Sequence, residues 1–278
     1  MTLTVSRTQQ PERSLWAERS LVVVLLAVTA MAAGGYAVFA LHPERLATVP
    51  DAALVYGHAL RVLPRAHIIV GVLALVAILT RRVGFQWLPA GIALYLISLA
   101  SELLGTTAGI PFGPYRYTDG LGVKWFAHVP VLIPASWFMM ALPSFAMASR
   151  WITTRPGWRI AVAAALLVSW DLALDPAMSH LMPYWIWGSP GPYYGMPLGN
   201  LGGWYVTGVA LMAALTLLRV DRWLDDVPTM PLVGIYGANL ALPVLMSAAA
   251  GLWPAAVLAL LPVTIAAAMA RARMRGTP

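Results

Sequence analysis

Residues 227–270 pass 44 positions without a charged side chain, broken only by Gly251-Leu-Trp-Pro254 near the middle. A water-soluble domain has no place for such a run, because ~20 apolar residues already suffice to carry a helix across a bilayer. The segment therefore reads as two spanning helices joined at the Gly/Pro break. Three other uncharged runs, 21–41, 83–101 and 125–149, are each close to one span in length. Residues 176–218 are also uncharged, but their first half is crowded with Gly, Pro, Tyr and Trp, and only 199–218 has helical character. Adding 67–80, extended upstream, and 159–178 gives about eight transmembrane helices. The expected fold class is all-α, a polytopic membrane helix bundle, with residues 1–278 forming one integral-membrane domain. Ala30-Met-Ala32 would also suit a signal-peptidase site, but the 21-residue run is long for a signal peptide and reads as the first span.

Charge supports this reading. Only 10% of residues are charged, against roughly 25% in a soluble domain. The net charge of +7 does not form a nucleic-acid patch, because the arginines are dispersed at the ends of apolar runs. With eight spans and the N-terminus inside, 13 of the 18 Lys and Arg fall in cytoplasmic segments, among them Arg7, Arg13, Arg19, Arg81, Arg82, Arg150 and Arg273. Arg45, Arg61, Arg65, Arg116 and Lys124 are left outside. By the positive-inside rule both termini, including a tail over 1–19, are expected on the cytoplasmic side of the cell's inner (plasma) membrane. With no cysteine, disulfides, thiolate catalysis and cysteine-ligated clusters are excluded.

In so apolar a chain the intramembrane acids carry most of the information. A carboxyl at membrane depth is costly and marks a functional interior. Glu102 is followed by Gly109-Ile-Pro-Phe-Gly-Pro-Tyr115, and Asp171-Leu-Ala-Leu-Asp175 by Gly188-Ser-Pro-Gly-Pro-Tyr-Tyr-Gly195. Asp171 and Asp175 share a helix face at a spacing of four. Counting ~1.5 Å per residue from Arg159 puts them about 18 and 24 Å into a ~30 Å core. Glu102, near the outer end of the third span, lies at comparable depth. Desolvation and like-charge proximity favour the protonated carboxyl, and a protonated carboxyl in an apolar pocket is a general acid. The structural alternatives are that Asp175 caps a helix ending at Pro176, and that Glu102 pairs with Arg116.

The loops supply Tyr115, Tyr117, Tyr193, Tyr194, Trp185, Trp187 and, in the next helix, Trp204. Their π faces would stabilise a cation, although an interfacial aromatic belt accounts for many of them equally well. Asn200 and Asn239 fall within spans, where they could hydrogen-bond across helices or hold a water; Asn239 reads as packing. His128 is expected at the start of the fourth span as an interfacial histidine. Acid-bearing helix, Gly/Pro/Tyr loop and Trp-bearing helix (Trp137, then Trp204) occur twice in the same order, the pattern of a parallel internal repeat. The five histidines form no HxxxH cluster, and neither a GxGxxG nor a Walker motif is present. One aspartate pair is half of what a polyprenyl transferase needs to hold magnesium diphosphate.

The string Glu102-Leu-Leu-Gly105-Thr-Thr-Ala-Gly109-Ile-Pro111-Phe-Gly113-Pro-Tyr115-Arg-Tyr117, with Val129-Pro130 and Trp137, resembles the membrane-integral carotenoid 1,2-hydratases. A second block is similar to the same family: Asp171 to Pro176, Trp187-Gly188, Gly191 to Pro197, Asn200 and Gly203-Trp204. The resemblance covers roughly 85–250. It implies addition of water across the terminal 1,2 double bond of an acyclic (ψ) carotenoid end group, lycopene- or γ-carotene-like, with no cofactor and no metal. The substrate would come from the bilayer, with membrane lipids and other carotenoid-pathway enzymes as neighbours. Glu102, Asp171 and Asp175 are then the candidate catalytic acids: Asp175 or Glu102 as proton donor, Asp171 as the group positioning water. Tyr115, Tyr117, Arg116, Tyr194, Asn200 and Trp204 are the candidate substrate or cation contacts. A carotenoid or polyprenoid cyclase begins with the same protonation. A proton-coupled transporter also suits intramembrane acids and broken helices.

Overall fold

The computed structural model describes residues 12–153 and 155–276. Arg7 and most of the 1–19 tail lie outside them, as do the side chains of Arg13, Arg61 and Arg273. The chain is an all-α bundle. In order it forms α1 (Glu12–Gly35), α2 (Glu44–Ala47), α3 (Pro50–Val83), α4 (Leu88–Ala108), β1 (Tyr115–Tyr117), β2 (Lys124–Trp125) and β3 (Val129–Pro130). Then come α5 (Leu132–Met147), α6 (Pro156–Asp175), β4 (Trp185–Trp187), α7 (Leu198–Leu217), α8 (Asp221–Leu224), α9 (Thr229–Ala249) and α10 (Trp253–Gly276). Among the described residues eight helices are long and apolar enough to cross a membrane, and this is a multi-pass membrane protein.

Several spans sit differently from the uncharged runs. The first, Trp16–Ala40, starts before residue 21 because Glu18 is buried in a two-pronged ion pair with Arg82, at 2.6 and 2.8 Å. The third is Leu88–Ala108, not 83–101. Val83 closes α3, Gly84 turns the chain at φ 60°, and Pro89 sits in the first turn of α4. Glu102 therefore lies six residues inside the end of α4 rather than at it. The fourth is Leu132–Ile152, because 124–130 folds as a small β-hairpin. His128 is exposed in that hairpin, outside the span. The 44-residue run divides as expected, into α9 and α10, with Gly251 at φ 77° between them.

The centre of the bundle is α5, whose side chains from Ser136 to Met147 are all buried. It packs against α3, α4, α6 and α9, while α1 and α10 lie outside. Helix α4 packs on α5 and α7, and α6 packs on the same two. The two acid-bearing segments, α4-loop-α5 and α6-loop-α7, thus pack against each other. Strands β1 and β4, one from each loop, pair antiparallel with Tyr115 opposite Trp187 and Tyr117 opposite Trp185.

Candidate active site

The sequence places one proline where it shapes the site. A proline inside a helix removes the hydrogen bond to the carbonyl four residues back. Pro176 follows Asp175, yet the helix does not end there. It continues as a wider π-helical turn over Pro176–Leu181, and the fifth span runs Pro156–Leu181. The carbonyl of Leu172, which Pro176 cannot bond, accepts instead from the Tyr193 hydroxyl at 2.7 Å. Asp175 makes no capping hydrogen bond, so the capping reading fails and its carboxyl is free to face inward. It lies six residues from the end of its span, as Glu102 does from the end of α4, where six α-helical residues amount to about 9 Å.

Glu102 is surrounded by donors. Its Oε2 accepts from the hydroxyls of Tyr115 and Tyr117, the latter at 2.8 Å, and its Oε1 from Trp137 Nε1 at 2.9 Å. This set overturns the pairing with Arg116, whose side chain is exposed on the outward face of β1. Side chains alternate across a strand, so Tyr115 and Tyr117 both point down from β1 while Arg116 points away. Burial, reinforced by the Glu102 carboxyl, holds both phenols well above the usual tyrosine range, and both stay donors. Gly109 ends α4 in the left-handed conformation and Gly105 lets the aromatic rings close in. A Cβ on Gly105 would lie 2.7 Å from Phe112 and 2.9 Å from Tyr115, and one on Gly203 would lie 2.8 Å from Phe112.

Asp175 is held from the other side. Trp185 Nε1 donates to its Oδ1 at 2.8 Å, and the Asn200 amide donates to its Oδ2. The same amide reaches Asp171 Oδ2 at 3.4 Å. Trp137 and Trp204 stack at 4.2 Å, and Trp170 meets Trp204 edge-on at 5.7 Å.

Glu102 and Asp175 both line one cavity of about 30 Å³, with Phe112, Tyr115, Tyr117, Ser136, Trp137, Trp170, Trp185, Trp187, Asn200 and Trp204 among its walls. That is room for a water, for which roughly 10–15 Å³ is the minimum, and the walls carry several polar partners. Of the residues singled out from sequence, Glu102, Asp175, Tyr115, Tyr117, Asn200 and Trp204 meet here. Asp171 is wholly buried but stands behind Asn200, off the cavity wall. Arg116 and Tyr194 are elsewhere, Tyr194 against His180 and Tyr193. Asn239 bonds Ile235 O within its own helix. Trp137 was visible as a repeat marker and, with Phe112, in the family-like string, whereas Ser136 and Trp170 have no spacing signal at all. A second, apolar cavity of about 620 Å³ lies between α1 and α3, walled by Tyr36, Phe39, Tyr56 and Tyr184, among others. Tyr184 directly precedes Trp185.

Residues 64–266 match the model of a family described as carotenoid biosynthesis protein. The chain belongs to this family. The match extends past the motif-bearing stretch 85–250 at both ends, and leaves out α1 and the first part of α3. A relative, bisanhydrobacterioruberin hydratase of Haloarcula japonica, is 31% identical over 149 residues. That alignment covers 52% of this chain and 47% of the relative, so the two correspond over about half their lengths. No solved structure matches the chain.

Proposed function

We propose that this protein is a carotenoid 1,2-hydratase, adding water across the terminal 1,2 double bond of an acyclic ψ end group to give a tertiary alcohol. The observation that carries the reading is the pair Glu102 and Asp175, both lining one water-sized, aromatic-walled cavity. Family membership and the relative's name favour a carotenoid substrate and a hydration.

The groups divide the work by their surroundings. Glu102 already accepts three hydrogen bonds, the pattern of a base. Asp175 sits beside Asp171, both tied to Asn200, and neighbouring carboxyls of this kind share a proton. Asp175 donates that proton to C2, and the π electrons form the new C–H bond, leaving a tertiary cation at C1. The faces of Trp137, Trp204 and Trp170 stabilise it. Water attacks C1 through oxygen and gives its surplus proton to Glu102. Proton return from Glu102 to Asp175 resets the pair, so neither a redox step nor a cofactor enters the balance.

An end group needs more room than about 30 Å³, so the aromatic walls must part to admit it. The apolar cavity between α1 and α3 offers a route for a polyene that never leaves the bilayer. The cationic side chains gather at the opposite end of the bundle, where Arg82 pairs with Glu18 and Arg159 with Asp221. On that distribution the reading also puts both termini in the cytoplasm and the cavity in the outer half of the plasma membrane.

The test is expression in a bacterium making lycopene or γ-carotene, with pigments analysed by chromatography and mass spectrometry. A more polar pigment heavier by one water, with its polyene spectrum unchanged, is expected. An isomer of unchanged mass and shortened chromophore would replace this reading with a cyclase.

A further inference from the structure

Capture of a carbocation by water competes with loss of a proton back to an alkene. A hydratase therefore has to hold its water close to C1 before the cation forms. Among the described residues, five buried side-chain polar atoms have no hydrogen-bond partner: Tyr56 Oη, Arg159 Nε, Trp170 Nε1, Asp171 Oδ1 and Ser247 Oγ. Of these residues only Trp170 lines the acid cavity. Burying a donor without a partner is costly, and three of the four other indoles around the cavity avoid it. Trp137, Trp185 and Trp187 direct their N–H groups to Glu102, Asp175 and Ser179.

Trp170 is also well placed and firmly held. It sits one helical turn before Leu174 on α6, so that Trp170, Leu174 and Asp175 reach the cavity from the same helix. The edge-on contact with Trp204 fixes its ring. An indole N–H is a donor only: it can orient a water but can neither take its proton nor attack the cation.

We propose that the Trp170 N–H holds the nucleophilic water. The water accepts from Trp170 with one lone pair and donates a proton toward Glu102. Its second lone pair is left to form the C–O bond at C1, and the proton displaced goes to Glu102. Asp171, off the cavity wall, then acts on Asp175, directly and through Asn200, rather than on the water. This inference rests on the hydratase reading.

Trp170→Phe keeps the ring and removes the donor. The full-length protein in detergent would be given lycopene in D₂O, and both the alcohol and the deuterium in recovered or isomerised alkene measured. In the variant the alcohol is expected to fall about tenfold relative to deuterated alkene, the size of one neutral hydrogen bond. Protonation continues while the cation discards a methyl proton instead of capturing water. Trp170→His, which retains a ring N–H, is expected to restore part of the ratio. An unchanged ratio in Trp170→Phe, loss of both products together, or equal ratios in the two variants would each overturn the assignment while leaving the hydratase standing. Wild-type protein that made no alcohol would remove both.

Discussion

Glu102 and Asp175 differ in their neighbours more than in their depth, and their substitutions should differ from that of Asp171. Glu102→Gln puts an amide NH₂ against donors that need an acceptor, and Asp175→Asn removes the acidic proton. Each is expected to lower hydration by 10²-fold or more, the usual scale for a general acid or base. Asp171→Asn, off the cavity wall but beside Asp175, should cost about tenfold. Pigment ratios per mole of folded protein give the order, and an Asp171 variant as inactive as the other two would return it to the reacting groups. Both loop tyrosines and Tyr184, whose phenol burial pushes up to about 12, titrate above the unfolded value near 10. The neutral phenols thus contribute stability that is complete below pH ~10 and is lost as pH rises from there toward the folded values. A melting temperature flat from neutral pH to about 10 and falling beyond it is expected. A decline beginning near pH 8 would show that other groups control alkaline stability. The acids were legible because a charge in an apolar run cannot hide. Trp170 was not, since one indole among 12 tryptophans carries no mark in the sequence.

At the scale of elements, the eight spans could be counted from hydropathy, but their edges could not. Uncharged length misses a helix that carries a paired charge, as α1 does at Glu18, and it includes apolar loops such as the 124–130 hairpin. The pairing of β1 with β4 was also invisible, because three-residue strands from separate loops leave no alternation long enough to read. That pairing aligns the rings over the acids, and it depends on the close approach allowed at Gly105. Gly105→Ala would drive a methyl into Phe112 and Tyr115, whose nearest atoms lie at 2.7 and 2.9 Å. Overpacking of this kind costs about 1–3 kcal/mol, and activity should fall further than stability because Tyr115 would leave Glu102. Thermal melts and pigment assays on the same preparation separate the two. Normal turnover in a destabilised variant would mean that the Tyr115 bond to Glu102 is structural.

For the molecule as a whole, the two segments with the repeated pattern each bring an acid to one cavity. Each repeat cannot close a polar site alone: Glu102 and Trp137 come from one, Asp175, Asn200 and Trp204 from the other, with β1 and β4 forming the shared roof. Same-direction repeats of this kind also build transporters, so the architecture alone does not choose between moving a proton and using one. The chemistry does. In the proposed cycle the proton given to C2 is replaced by the proton taken from water, so the net reaction transfers no charge across the membrane and draws on no gradient. Turnover per mole of protein is therefore expected to agree within about twofold among detergent micelles, sealed vesicles and vesicles treated with a protonophore. Such a difference is under 0.5 kcal/mol in barrier height. A collapse with the protonophore alone would mean that the acids form a proton path connected to one side of the membrane, and the transporter reading would take precedence.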